Sequence, residues 1–229
     1  MPMPLLSVII PVYNEESTLE KVINIINAVD IDKEIIVVND ASTDRTRQIL
    51  ENLKLPNLKL FSHPRNLGKG AAFRTGLKQA VGEVVIIQDA DLEYDPNDYL
   101  RLVPPIISNQ ADMVLGVRFS RGYKGLFMHR LGNQFLTGLH NLLYASRLND
   151  VYTCYKVARR GVYNSLDLEA DGFSLEQEIV SKVIRRKLRI QEIPIAYHPR
   201  GYAQGKKIRY YDAFKIIIRM IRSRFKRKG

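Results

Sequence analysis

Residues 82–91 read Gly82-Glu83-Val84-Val85-Ile86-Ile87-Gln88-Asp89-Ala90-Asp91. Val84 to Ile87 is β-branched throughout and follows a glycine, the pattern of a buried strand. The strand ends by presenting two carboxylates. Left unpaired they repel, and one is driven toward its neutral form. A divalent cation removes that cost, and hard oxygen donors suit Mg2+ or Mn2+. Mg2+ is usually held by one or two carboxylates together with substrate phosphates, so a cation at Asp89 and Asp91 implies a phosphorylated substrate. A solvated acidic turn capping the next helix is the other reading of Asp-x-Asp. Its place at the end of a buried strand favours the metal.

Outward from this stretch, strand and helix alternate. Strands are expected at 6–11, 34–38, 58–63, 83–88 and 112–116, with helices at 16–28, 42–53, 69–81 and 96–108. Leu19, Val22, Ile23 and Ile26 fall at helical spacing, and Ser42 or Thr43 is placed to cap the helix that follows, with Asp44 in its first turn. This rhythm argues an α/β fold, a mostly parallel sheet with helices on both faces. Ligands of such sheets bind outside the carboxyl ends of the strands. Residues 11–15, 39–42, 66–70 and 89–93 all lie there. Beyond residue 116 the pattern loosens: helices are expected at 131–144 and 173–185, a strand at 190–195, and a strand at 152–157 returning to the sheet edge.

A chain of 229 residues with 45% hydrophobic and 26% charged content suits one substantial core. Its single cysteine, Cys154, excludes an internal disulfide framework and fits a reducing compartment. No basic leader precedes the first strand, and no apolar run approaches the length of a membrane span, about 18 residues. The net charge of +11 is uneven: residues 206–229 carry ten Lys/Arg and one acid, leaving the body at +2. The expected organisation is a domain over 1–210 and an amphipathic basic tail over 211–229. In the tail, Phe214, Ile217, Ile218, Ile221 and Phe225 form one helical stripe, and Lys215, Arg219, Arg222 and Lys226 another. Such a helix suits an anionic membrane surface; docking on the domain by its Ile face is the alternative.

Four segments, taken in order, resemble the family 2 glycosyltransferases with the GT-A fold. They are Ser7-Val8-Ile9-Ile10-Pro11-Val12-Tyr13-Asn14-Glu15, Val38-Asn39-Asp40-Ala41-Ser42-Thr43-Asp44, Asn66-Leu67-Gly68-Lys69-Gly70 and Gln88-Asp89-Ala90-Asp91. A closer resemblance, to the polyprenyl-phosphate (dolichyl-phosphate) hexosyltransferases, rests on Val117-Arg118-Phe119, Arg130-Leu131-Gly132-Asn133, Asp150-Val151-Tyr152-Thr153-Cys154-Tyr155-Lys156, Tyr197-His198-Pro199-Arg200 and Gly205-Lys206-Lys207-Ile208. Thr153-Cys154-Tyr155-Lys156 departs from the Ser-Gly-Phe-like text of dolichyl-phosphate mannose synthases, and Glu93-Tyr94 departs from their Gln-His.

The resemblance implies that Pro11, Tyr13, Glu15 and Asp40 line a nucleoside pocket, that Gly68 and Lys69 meet the donor, that Gln88 fixes the sugar or the carboxylates, and that Asp89 and Asp91 hold Mg2+ or Mn2+ on the diphosphate. Glu15 and Asp40 could equally cap helices. The acceptor is then a polyprenyl phosphate, already largely a dianion at neutral pH, which needs cations rather than a base. Arg118, Arg130, Arg200 and Lys206 are the candidates, arginine suiting phosphate through its planar fork. A saccharide hydroxyl acceptor would instead need a base, and Asp150 and Glu178 are the candidates. Glu176 and Glu178 cannot share one helical face, so at most one is expected to point inward.

The expected activity is metal-dependent, inverting transfer of a hexose from a nucleotide diphosphate-sugar, GDP-mannose first and UDP-glucose second, to a polyprenyl phosphate. The expected place is the cytoplasmic face of a membrane, peripherally bound through the basic tail, or otherwise the cytoplasm. A nucleic-acid module using that tail is the reading from another class, and the near-neutral body without a basic groove speaks against it.

Overall fold

The computed structural model describes residues 3–118, 127–172, 174–199 and 210–225. Its first half runs β1 (Leu6–Val12), α1 (Leu19–Ala28), β2 (Lys33–Asn39), α2 (Thr46–Asn52), β3 (Leu58–Ser62), α3 (Lys69–Gln79) and β4 (Val84–Ile87). Then come a 3-10 turn (Pro96–Asp98), α4 (Tyr99–Leu102), α5 (Pro104–Ile107), β5 (Met113–Val117), α6 (Phe127–Tyr144), β6 (Lys156–Arg159), α7 (Arg160–Ser165), α8 (Leu175–Arg185), β7 (Ile190–Pro194) and α9 (Tyr210–Phe225). These strands form one sheet in the order β3-β2-β1-β4-β6-β5-β7, with all neighbours parallel except those of β6. β1 sets Val8 opposite Ile35 of β2 and Ile86 of β4.

The central strands are apolar on both pleat faces because both are covered. Ile35, Ile36, Val37 and Val38 are all fully buried, as are Val84 to Ile87, which is the signature of a doubly covered parallel sheet. α3 lies so close to β1 and β2 that a Cβ on Gly76 would meet Ile9 Cγ2 at 2.5 Å. α1 buries Leu19, Val22, Ile23 and Ile26, the four residues that periodicity selects.

Four expectations are corrected. The helix expected over 96–108 is three short pieces, a 3-10 turn and two α segments, and Pro104 and Pro105 account for the break between the last two by removing two successive amide donors. α2 starts at Thr46 rather than near Ser42: the Ser42 hydroxyl accepts from Asn14 N at 3.0 Å, the Thr43 amide donates to Asn14 Oδ1 at 2.8 Å, and Asp44 Oδ1 accepts from Thr46 N at 3.0 Å. The strand expected at 152–157 on a sheet edge forms later, as β6 at Lys156–Arg159, and lies inside the sheet, antiparallel between β4 and β5. The tail docks by a face other than the expected stripe: Ile216 and Met220, outside that stripe, pack against Tyr144, Leu139, Leu143 and Ile184, while Ile221 and Phe225 of the stripe stay exposed. Positions 216, 220 and 223 share one helical face, and Ser223 Oγ lies 2.7 Å from Tyr144 Oη.

Candidate active site

The parallel strands end on one rim, and three of its loops carry non-glycine residues in the left-handed region: Asn14 (φ 52), Ala41 (φ 59) and Leu92 (φ 61). Each costs about 1 kcal/mol or more and persists where surroundings over-determine it. Here the ties are visible. Asn14 is bound to Ser42 and Thr43 as above, Ser42 N donates to Asn39 Oδ1 at 3.0 Å, and Glu93 N donates to Asp91 Oδ1 at 3.2 Å.

Asp89 leaves β4 into a shell of charge. Lys69, the first residue of α3, sets its ammonium 2.7 Å from Asp89 Oδ1 and 2.7 Å from Glu176 Oε1 at the start of α8. Cys154 Sγ is 3.8 Å from the same nitrogen. Burial opposes the ammonium's charge, but Asp89 and Glu176 outweigh it and hold Lys69 well above its ordinary pKa. Burial likewise opposes the Asp89 carboxylate, and Lys69 reverses it, pulling Asp89 below the ordinary range. Burial pushes the Cys154 thiol up, and Asp89 adds to it, so this cysteine is an inert neighbour. The Thr18 hydroxyl donates to Ala90 O at 2.7 Å, tying α1 to the Asp-Ala-Asp turn.

Gln88 is buried beneath this turn. Tyr99 Oη and Tyr155 Oη donate to its Oε1 at 2.5 and 2.6 Å, and its Nε2 donates to Asp89 O at 2.8 Å. It therefore orients the Asp89 backbone. Asp40 is equally committed: its carboxylate accepts from His63 Nδ1 at 2.7 Å, Leu67 N at 2.9 Å and Gly68 N at 2.7 Å, bracing the loop before α3. Glu15 is buried, with Thr18 Oγ1 3.0 Å from its Oε2, whereas Tyr13 is exposed and Pro11 partly so. Gly68 (φ 95) and Gly70 are needed for a different close approach than expected: a Cβ on either would collide with the backbone carbonyls of Asp171 or Ala170. Gly70 N donates to Asp171 O at 2.6 Å.

At the end of β5, Arg118 makes a two-pronged ion pair with Asp150, Nε to Oδ2 and Nη2 to Oδ1, both 2.8 Å. Asp150 is fully buried. Burial opposes the guanidinium's charge, and Asp150 more than restores it. Its Cζ also stands 5.3 Å from the Tyr197 ring centre, and Tyr197 Oη donates to Glu93 Oε2 at 2.6 Å.

These contacts engage both acids offered as bases for a hydroxyl acceptor. Asp150 is the counter-ion of Arg118. Glu178 accepts from Glu169 N at 3.0 Å and Ala170 N at 2.7 Å and pairs with Lys182 at 2.9 Å, so it fixes the 169–171 backbone that roofs α3. The expectation that only one of Glu176 and Glu178 faces inward also fails. Both are buried, because the first turn of α8 is wedged between Lys69 on one side and the 169–170 backbone on the other. Glu176 is the residue that sequence reasoning left out of the site; its signal was an acid in a helix's first turn. Arg130 sits partly buried in α6, and Arg200 and Lys206 lie outside the described residues.

Among the described residues, no set of three His, Cys, Asp or Glu side chains could enclose a metal ion. Two hard carboxylates, one already cradling an ammonium, fit a cation whose remaining ligands come from a bound phosphate group.

Residues 7–167 match the family description "Glycosyl transferase family 2". The chain belongs to that family. It is similar to the low-salt glycan biosynthesis hexosyltransferase Agl6 of Haloferax volcanii, with 30% identity across 86% of this chain and 48% of the relative. Similarity to the dolichol-phosphate mannosyltransferase of Pyrococcus furiosus is also 30%, across 87% of this chain and 58% of that one. The chain thus spans about half the length of these two family 2 relatives. The UDP-N-acetylglucosamine–dolichyl-phosphate N-acetylglucosaminyltransferase of Methanococcus voltae is 27% identical and covered to 95% on both sides. In fold, the chain matches the Mycobacterium tuberculosis glucosyl-3-phosphoglycerate synthase, solved with Mn2+, UDP and glucosyl-3-phosphoglycerate, at a TM-score of 0.75 and 22% identity, across 99% of this chain and 81% of that one. The mostly parallel GT-A-like α/β fold expected from the sequence is the one this family 2 chain has.

Proposed function

We propose that this chain transfers a hexose from a nucleotide diphosphate-sugar to a polyprenyl phosphate of the dolichyl type, with inversion at the anomeric carbon. The observation that carries this reading is the charge arrangement on one rim. Asp150 and Glu178, the acids offered as bases, are engaged by Arg118 and by the 169–170 backbone, while Lys69 stands 2.7 Å from Asp89 and Arg118 lies at the end of β5. A phosphate acceptor needs cations and no base; a hydroxyl acceptor needs the reverse.

In this reading Asp89 and Asp91 hold Mg2+ or Mn2+, which supplies charge neutralisation on the leaving diphosphate. Tyr13 and Glu15 bound the nucleoside side of the rim. Asp40 acts through the loop it braces. Arg118, held in place by Asp150, draws in the acceptor phosphate, with Arg130, Arg200 and Lys206 as further phosphate cations. The mannosyltransferase and UDP-N-acetylglucosamine-dependent names of two relatives support testing GDP-mannose and UDP-sugars side by side.

The chain works at a membrane surface, on the cytoplasmic face. No helix of the described residues is long and apolar enough to cross a bilayer. Phe135 and Leu142 of α6 and Phe225 of α9 are 67%, 79% and 73% exposed, and residues 206–229 carry a charge of +9. Apolar side chains set among lysines and arginines suit the headgroup boundary.

The test offers GDP-mannose, UDP-glucose and UDP-N-acetylglucosamine, each with a polyprenyl phosphate, the matching unphosphorylated polyprenol or a soluble oligosaccharide, in Mn2+ or EDTA. Labelled sugar should enter the lipid phase with the phosphate and the ion alone. Transfer to the polyprenol or the saccharide, or equal transfer in EDTA, contradicts the proposal.

A further inference from the structure

The Lys69 ammonium stands midway between two carboxylates, 2.7 Å from each. One of them, Asp89, belongs to the proposed cation site, and the other, Glu176, does not. A divalent ion arriving at Asp89 and Asp91 meets a positive charge already seated on one of its ligands. Two cations that close repel strongly in a poorly hydrated site, so Lys69 must yield. The structure provides where it can go. Glu176 lies in the first turn of α8 and is buried, and its neighbour Gln177 is bonded to Ser181 at 2.6 Å, which fixes that turn. Lys69 itself cannot swing outward at its backbone. Gly68 and Gly70 on either side are locked under the carbonyls of Ala170 and Asp171, and Arg74 reaches over to Asp171 at 2.5 Å. Its long, flexible stem can still shift the charge between two partners.

We propose that Lys69 and Glu176 form a built-in exchange pair for the cation site. Lys69 holds Asp89 while the ion is away and rests on Glu176 alone once the ion binds. Glu176 is therefore a positioning residue, acting on the ion through Lys69. The inference rests on the assignment of Asp89 and Asp91 as the cation site.

The experiment titrates Mn2+ into the full chain with GDP or UDP and reads free Mn2+ by electron paramagnetic resonance, a signal independent of turnover. Removing the competing charge with Lys69→Met should tighten Mn2+ binding about tenfold, and Glu176→Gln, which strands Lys69 on Asp89, should weaken it about fivefold, within the usual span of coupling between two sites. Adding Glu176→Gln to Lys69→Met should then change affinity less than about twofold, since the residue it acts through is gone. Should Lys69→Met fail to fold by circular dichroism, Lys69→Gln removes the charge and keeps a donor. Equal losses from Glu176→Gln with and without Lys69 would mean a plain through-space charge effect and overturn the exchange. So would unchanged affinity in the Lys69 variants. If the unaltered chain takes up no Mn2+ with either nucleotide, the cation-site assignment falls first.

Discussion

In the first half of the chain, β1, β2 and β4 are buried on both faces, and the rim loops are tied by bonds from backbone amides to side chains: amide to Ser42, amide to Asp44, amide to Asp40. The second half holds its part of the rim with charges taken out of water: Arg118 on Asp150, Glu176 on Lys69, and Lys156, fully buried on β6. Burial lowers the Lys156 pKa to about 8, against the pull of Glu176. Capping bonds are cheap to form and modest to lose, whereas a buried charge that loses its partner carries a large penalty. The first half is thus robust scaffold, and the second is where single substitutions should break both fold and site.

The largest expected effect is on Asp150. Asp150→Ala removes the two-pronged carboxylate partner of a buried guanidinium and should destabilise by about 3–5 kcal/mol, read as a fall in the denaturant midpoint. The counterpart in the first half, Asp44→Ala, removes the bond to Thr46 N and should cost about 1 kcal/mol. Equal losses would erase the contrast between the halves.

Next comes pH. His140, stacked on Tyr144 at 4.5 Å between ring centres and 3.0 Å from Ser181 Oγ, is depressed to about 4 by burial, helped by the Lys156 charge. Between 6.5 and about 4 the unfolded chain binds the proton and the folded one does not, so stability falls as pH falls through that window. The full loss is about 3 kcal/mol. Denaturation across this range should show that slope, and His140→Gln should flatten it; identical slopes would place His140 in a solvated setting.

The smallest stability effect is expected at the outer face of α6. Phe135→Ser with Leu142→Ser should move stability by no more than about 0.5 kcal/mol while reducing flotation with anionic vesicles. Undiminished flotation would leave the tail alone as the membrane contact.

Legibility in the sequence follows the same divide. Val84 to Ile87, or Leu19 to Ile26, encode their elements in nearest-neighbour periodicity, and the parallel sheet and the Asp89–Asp91 turn could be read from it. Glu176 and Glu178 could not be sorted that way: their burial depends on Lys69 and on residues 169–170, brought in by packing across the molecule. β6 was misplaced to the edge because four residues say nothing about which strands flank them. Gln88 and Asp40 were taken as ligand-facing because their bonds to Tyr99, Tyr155 and the 67–68 backbone are long-range, whereas Pro104-Pro105 was a local signal against a continuous helix.

The most direct test concerns the pair of acids at the end of β4. The full chain and Asp91→Ala are melted with GDP or UDP, with and without Mn2+, since a ligand that binds the folded state raises the midpoint by mass action. A metal-dependent shift with one nucleotide in the unaltered chain, absent in Asp91→Ala, is the predicted result. The same shift in both proteins would contradict the account.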